Sequence, residues 1–162
     1  MPNIDEVETE ALNFRKLLES CDKERTRLVT EDFPVMNCNL SSMLFIYHLF
    51  TRWPEIEVFG VNGIATDEKG VETISHYWVE VENIAIDLTA DQYNHIDDSE
   101  LNKEIIQERP FQSIYVGQKN SILPYQLFRI IWRDKYKFGF SSVGQDFIDE
   151  MEVGHSQLME LA

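Results

Sequence analysis

The chain has 162 residues, of which 14 are Lys or Arg and 29 are Asp or Glu, giving a formal net charge of −15 with histidine neutral. Hydrophobic residues make up 43% and aromatics 12%, which excludes a disordered chain and suffices for one domain with a real core. A surface this negative repels phosphate backbones and anionic lipid, so nucleic acid and membranes are excluded as expected partners, and no window approaches the roughly 18 apolar residues of a membrane span.

The first segment, MPNIDEVETE, is acidic rather than basic and apolar, so no secretory signal is read there. A cytoplasmic protein is expected, with delivery as an effector by a route that needs no leader left open. Over residues 1–32, Val7, Leu12, Phe14, Leu17, Leu18 and Cys21 recur at three- and four-residue spacings among charged residues and predict an amphipathic helix. Phe33-Pro34 breaks it, because proline disfavours helical geometry in the residue before it. From Asn37 to Phe50 the run NCNLSSMLFIYHLF is almost uncharged and apolar on most sides, the pattern of a buried helix.

Glu55 to Ala65 has β-branched and aromatic character and is followed by a turn cluster, TDEKG. Ile74 to Thr89, ISHYWVEVENIAIDLT, carries the clearest strand signal in the chain. A polar stretch from His95 to Arg109 leads to a short strand, SIYVG, at Ser113 to Gly117. Leu123 to Phe138, LPYQLFRIIWRDKYKF, predicts a second amphipathic helix with Pro124 in its first turn. The last 22 residues hold five acids and no Lys or Arg, which predicts a solvated helix or tail. Helices first, then antiparallel strands, then a closing helix make an α+β chain rather than a βαβ alternation.

A two-residue turn at Glu82-Asn83 opposes Val81 with Ile84, Val79 with Ile86 and Tyr77 with Leu88. All six are apolar and share one face, and a one-residue slip would break every pair. The opposite face then holds His76, Trp78 and Glu80 beside Ala85, Asp87 and Thr89. Asp87 is diagonal to His76, a separation of roughly 7–8 Å at the backbone that a histidine–carboxylate hydrogen bond can span.

Cys38 follows Asn37, a good N-cap residue, and so falls in the first turn of the buried helix. Unpaired amides and the positive dipole end there favour a thiolate and can donate to an oxyanion. Taken singly, each residue has a plainer reading: a core cysteine, a structural histidine, a turn aspartate. Together, cysteine, histidine and aspartate make the set in which the imidazole takes the thiol proton and the carboxylate orients the imidazole. Cys21 reads as structural. His48 lies ten residues down the helix from Cys38, roughly 15 Å away along the axis, and reads as a packed or rim histidine. His95 and His155 read as solvated, and Ser41 and Ser42 lack a nucleophile elbow. Two cysteines make no disulfide framework, and without C-x-x-C or H-E-x-x-H no metal or cofactor is expected. Asp91-Gln92 reads either as a turn or, through Gln92, as an oxyanion or substrate donor.

The string FPVMNCNLSSMLFIYHLF, followed by SHYWVEVENIAIDLTADQY, resembles papain-like and transglutaminase-like cysteine enzymes, in particular the small bacterial branch of peptide-processing proteases and toxin deamidases. The resemblance covers about residues 33–93 and implies Cys38, His76 and Asp87 as the catalytic residues. Asn37, Gln92 and Trp78 are the expected oxyanion or substrate-binding neighbours. Members often carry a glycine just ahead of the cysteine, where this chain has Met36-Asn37.

The expectation is therefore one papain-like α+β domain over 1–162: a first helix at 1–32, the catalytic core at 33–93, the remaining sheet and helix at 94–140 and an acidic segment at 141–162. Its cysteine-bearing helix packs on an antiparallel sheet that carries the histidine and the aspartate. The expected activity is amide hydrolysis, as a peptidase or amidase, through a thioester acyl-enzyme. Glutamine deamidation or amine transfer on a protein substrate, and a catalytically silent binding or immunity-type module, are the alternatives. The expected partner is a polypeptide, and the excess of acids points to a basic one.

Overall fold

The computed structural model describes residues 1–71 and 73–162. Helix α1 (Ile4–Ser20) opens on a capping box, in which the Asn3 side chain accepts from the Glu6 amide and the Glu6 carboxylate accepts from the Asn3 amide. Val7, Ala11, Phe14 and Leu18 form its buried stripe. The helix ends at Ser20, well short of the expected residue 32. Asp22 competes with it for the backbone: its side chain accepts from the Glu24 amide, and its carbonyl takes both donors of Thr26. Turns carry the chain from there to Asn37.

Helix α2 (Cys38–Arg52) is the buried helix expected from its composition, with Ser41 to Ile46, His48 and Leu49 all inside. It packs on the sheet and against α5 (Gln145–Met159), with α1 beside it, itself in contact with the sheet. The C-terminal helix is not a solvated tail. Met151, Gly154 and Leu158 are buried, and a Cβ on Gly154 would stand 2.6 Å from the Arg27 carbonyl oxygen, so the glycine permits close docking. An acidic outer face and an apolar inner stripe coexist on this helix, and charge counting sees only the first.

Five antiparallel strands form one sheet in the order β4-β3-β2-β1-β5. They are β1 (Glu57–Thr66), β2 (Thr73–Val81), β3 (Ile84–Asp87), β4 (Tyr115–Gln118) and β5 (Arg129–Lys137). The β2–β3 hairpin has the expected register, Val81↔Ile84, Glu80↔Ala85 and Val79↔Ile86, across the Glu82-Asn83 turn. The ladder stops at that point, so Tyr77 and Leu88 are not a ladder pair. Both still face the helix-side core, with Val79, Val81, Ile84 and Ile86. The opposite face is also covered: Val61, Trp78, Tyr93, Leu101, Ile105, Phe111 and Phe128 build a second core. Much of that cover comes from the segment after β3, through two 3-10 turns, α3 (Lys103–Gln107) and α4 (Pro124–Leu127).

The second amphipathic helix expected over Leu123 to Phe138 is replaced by the single turn of α4 and by β5. Four residues of helix end at Phe128, and β5 then pairs along β1 from Glu57↔Lys137 to Ile64↔Arg129. Apolar residues in this segment fit both periods, and β1 supplied an unpaired edge that settled the choice in favour of a strand. Its cations also find cross-strand partners, Arg133 on Glu80 and Lys135 on Glu57.

Candidate active site

The β2–β3 ladder ends at Val79↔Ile86, and the site occupies the fork beyond it. On one branch is His76, 1% exposed; on the other is Asp87, fully buried. His76 Nε2 and Asp87 Oδ2 are 2.6 Å apart, and the second carboxylate oxygen accepts from the Thr89 amide at 3.0 Å. Asp87 is therefore held at both oxygens, and Nε2 is committed to it. The other ring nitrogen, Nδ1, lies 3.3 Å from the Gln92 amide nitrogen.

Cys38 stands at the first position of α2, half-buried, and its thiol meets His76 and Gln92. Burial pushes the thiol pKa up, but hydrogen bonds from His76 and Gln92 and the imidazolium charge outweigh it. The net result is a value below the ordinary 9.0, with Asp87 opposing. His76 moves the other way. Burial would lower it, but the Asp87 charge and hydrogen bond, together with Cys38, raise it from 6.5 to about 10. Both shifts favour the same species, a thiolate facing an imidazolium. Aromatic rings enclose the imidazole, with Tyr93 edge-on at 5.3 Å and Phe128 and Trp78 tilted at 5.1 and 5.9 Å.

The remaining expected site residues divide. Gln92 lies beside His76 and Cys38, its amide nitrogen 3.3 Å from His76 Nδ1. Asn37 precedes α2, but its side chain makes no cap bond; Nδ2 donates to the Leu28 carbonyl at 3.1 Å and to Thr30 Oγ1 at 3.3 Å. Its Oδ1 accepts from Ser41, so the side chain is spent on bracing the loop and has no donor left for a substrate. Trp78 is fully buried and packs edge-on against Tyr125 at 5.3 Å, beneath the site rather than at it. Met36, where the resembled family often has glycine, takes φ 59° with its side chain 80% exposed. The left-handed conformation that glycine favours is thus present, adopted by a methionine.

Cys21 is structural: buried, with its thiol on the Leu18 carbonyl. His48 is packed as expected, with Nε2 2.9 Å from Glu10 Oε2. His155 is not solvated. It sits 3.0 Å from His48 Nδ1, where burial and the neighbouring His48 lower its pKa to about 4. His95 is exposed and, with Asp32, Phe33, Pro34 and Val35, lines a groove of about 420 Å³. The groove walls lie within a few residues of Cys38 on one side and Gln92 on the other. A larger cavity of about 610 Å³, by Asp67, Glu104 and Arg129, is also lined by Phe128, whose ring packs on His76. Among the described residues no three His, Cys, Asp or Glu side chains converge to hold a metal, and no helix is long and apolar enough to cross a membrane.

Sequence reading missed Arg15, Tyr93 and Phe128. The two aromatics shape the imidazole's pocket, and nothing in their local sequence separates them from ordinary core residues. Comparison of the chain with protein-family models, curated proteins and solved structures gives no significant match.

Proposed function

We propose that this protein is a cysteine-dependent amide hydrolase, a peptidase or amidase on a papain-like, transglutaminase-like fold. Cys38 is the nucleophile, His76 the general base and acid, and Asp87 the group that orients it. The observation that carries the reading is a fully buried His76–Asp87 pair, Nε2 to Oδ2 at 2.6 Å, with Gln92 on Nδ1 and with Cys38 beside it at the first position of α2. A structural histidine has no need of a cysteine whose pKa is lowered beside it.

The steps follow from these positions. His76 Nδ1 takes the Cys38 proton, and the thiolate attacks the carbonyl carbon of the amide, whose π electrons move to oxygen. Gln92 and the free amides at the start of α2 donate to that oxygen. The tetrahedral species then collapses. The C–N bond breaks, the amine leaves with the proton from Nδ1, and a thioester remains on Cys38. Water gives a proton to Nδ1 and adds to the thioester, and the acid and the thiol are regenerated. A deamidase or an amine transferase would share this acyl-enzyme and differ in the substrate amide or in the acceptor that resolves it.

The excess of acids supports a polypeptide substrate with cationic character. Incubation with candidate peptides and proteins, followed by acid quench and intact-mass measurement, should reveal an acyl adduct on Cys38. Cys38→Ala should give none. An adduct of equal yield on the alanine variant would remove Cys38 from the chemistry.

A further inference from the structure

Arg15 is a buried cation that the hydrolytic steps do not use. It lies mid-helix in α1, only 5% exposed, among residues where a long charged side chain is rare. Its Nη1 donates to the Leu88 carbonyl at 2.5 Å, the Ser113 carbonyl at 2.9 Å and Asp91 Oδ1 at 2.8 Å. Nη2 donates to Asp91 Oδ2 at 2.6 Å, and Nε to Glu19 at 2.7 Å. The guanidinium carbon lies 4.7 Å from the centre of the Phe33 ring.

Most of these partners adjoin a piece of the site. Leu88 follows Asp87, Asp91 precedes Gln92, and Phe33 belongs to the turn that leads into Cys38. Ser113 leads into β4, which pairs with β3. We propose that Arg15 is a positioning residue for the triad: one planar guanidinium fixes the Asp87–Gln92 segment against the Phe33–Cys38 turn, so that carboxylate, imidazole, amide and thiol meet. The inference rests on the hydrolase reading and adds to it the device that registers two distant segments.

Arginine suits this task because its rigid fork grips a carboxylate through two bonds while further donors hold carbonyls, which a lysine ammonium cannot match. Stability alone is a poor reason for such a pair, since apolar residues of similar volume commonly replace a buried ion pair without loss. That difference separates positioning from simple bracing.

The test compares wild type, Arg15→Lys and the double variant Arg15→Met/Asp91→Leu. Thermal unfolding is measured alongside the pH profile of Cys38 alkylation by iodoacetamide, with Cys21 as internal reference. The double variant should still unfold cooperatively, at a temperature lowered by the loss of the donors to the Leu88 and Ser113 carbonyls. In both variants the Cys38 inflection should move up toward the ordinary thiol range, with the rate at about pH 6 falling roughly tenfold. A wild-type profile in either variant overturns the proposal. If wild-type Cys38 itself labels no faster than Cys21, the hydrolase reading fails and this inference falls with it. That result is distinct from one in which only the variants are indifferent.

Discussion

His76 has two ring nitrogens with different duties, and the fold keeps them apart. Nε2 is fixed on a fully buried carboxylate, and in the proposed mechanism Nδ1 is the nitrogen that exchanges a proton with Cys38. The sign of the pH dependence follows from the two shifts. A thiol held below 9.0 keeps its reactive thiolate as pH falls and loses it only on passing the lowered value. An imidazole raised to about 10 keeps its proton through neutrality and loses it as pH rises through that value. Reactivity should therefore extend to the acid side of an ordinary cysteine. Two residues upstream of Cys38, Met36 holds a φ of 59°, a conformation that costs a non-glycine residue about 1 kcal/mol or more. Met36→Gly removes that strain but adds unfolded-chain entropy of somewhat smaller size. Urea titration should show a gain of roughly 0.5–1 kcal/mol, with no change in the hairpin that carries the base.

At the scale of elements, the hairpin does most to build the site, and it is also where sequence was most informative. Val79, Val81, Ile84 and Ile86 alternate without exception around a short turn, so register and face assignment followed from side-chain period alone. That assignment places His76 and Asp87 on one surface. Cys38 was legible for a similar reason, since a helix start is marked by local composition. Arg15 was not legible, because its partners other than Glu19 and Phe33 lie 73 to 98 residues away in sequence and only the folded chain brings them together. Residues 129–137 failed differently: their apolar spacing fits helix and strand alike, and pairing with β1 decided between them. That pairing makes β1 central, and close packing there is sensitive to volume. An added Cβ on Gly60 would fall 1.6 Å from the Tyr77 hydroxyl oxygen, inside the core beneath α2. Gly60→Ala should lower stability by about 1–3 kcal/mol in denaturant unfolding. Full tolerance would mean that Tyr77 does not occupy that space.

For the molecule as a whole, the −15 charge is unevenly spread. No Asp or Glu occurs between Phe33 and Trp53, while α1 and α5 carry acids along their outer faces. Cys38 thus sits in a segment free of acids, and under the proposed function the acids of α1 and α5 would attract a cationic chain. The two cysteines differ in the same way: Cys21 is packed in the helix-side core, and Cys38 meets a base. Iodoacetamide labelling followed by peptide mapping reads that difference directly. In the wild type, Cys38 should label much faster than Cys21 near neutral pH and stay fast into the acid range, and His76→Ala should slow it and return its inflection toward an ordinary thiol. Equal, slow labelling of both cysteines, unchanged by His76→Ala, would contradict a thiolate–imidazolium pair at Cys38 and with it the proposed function.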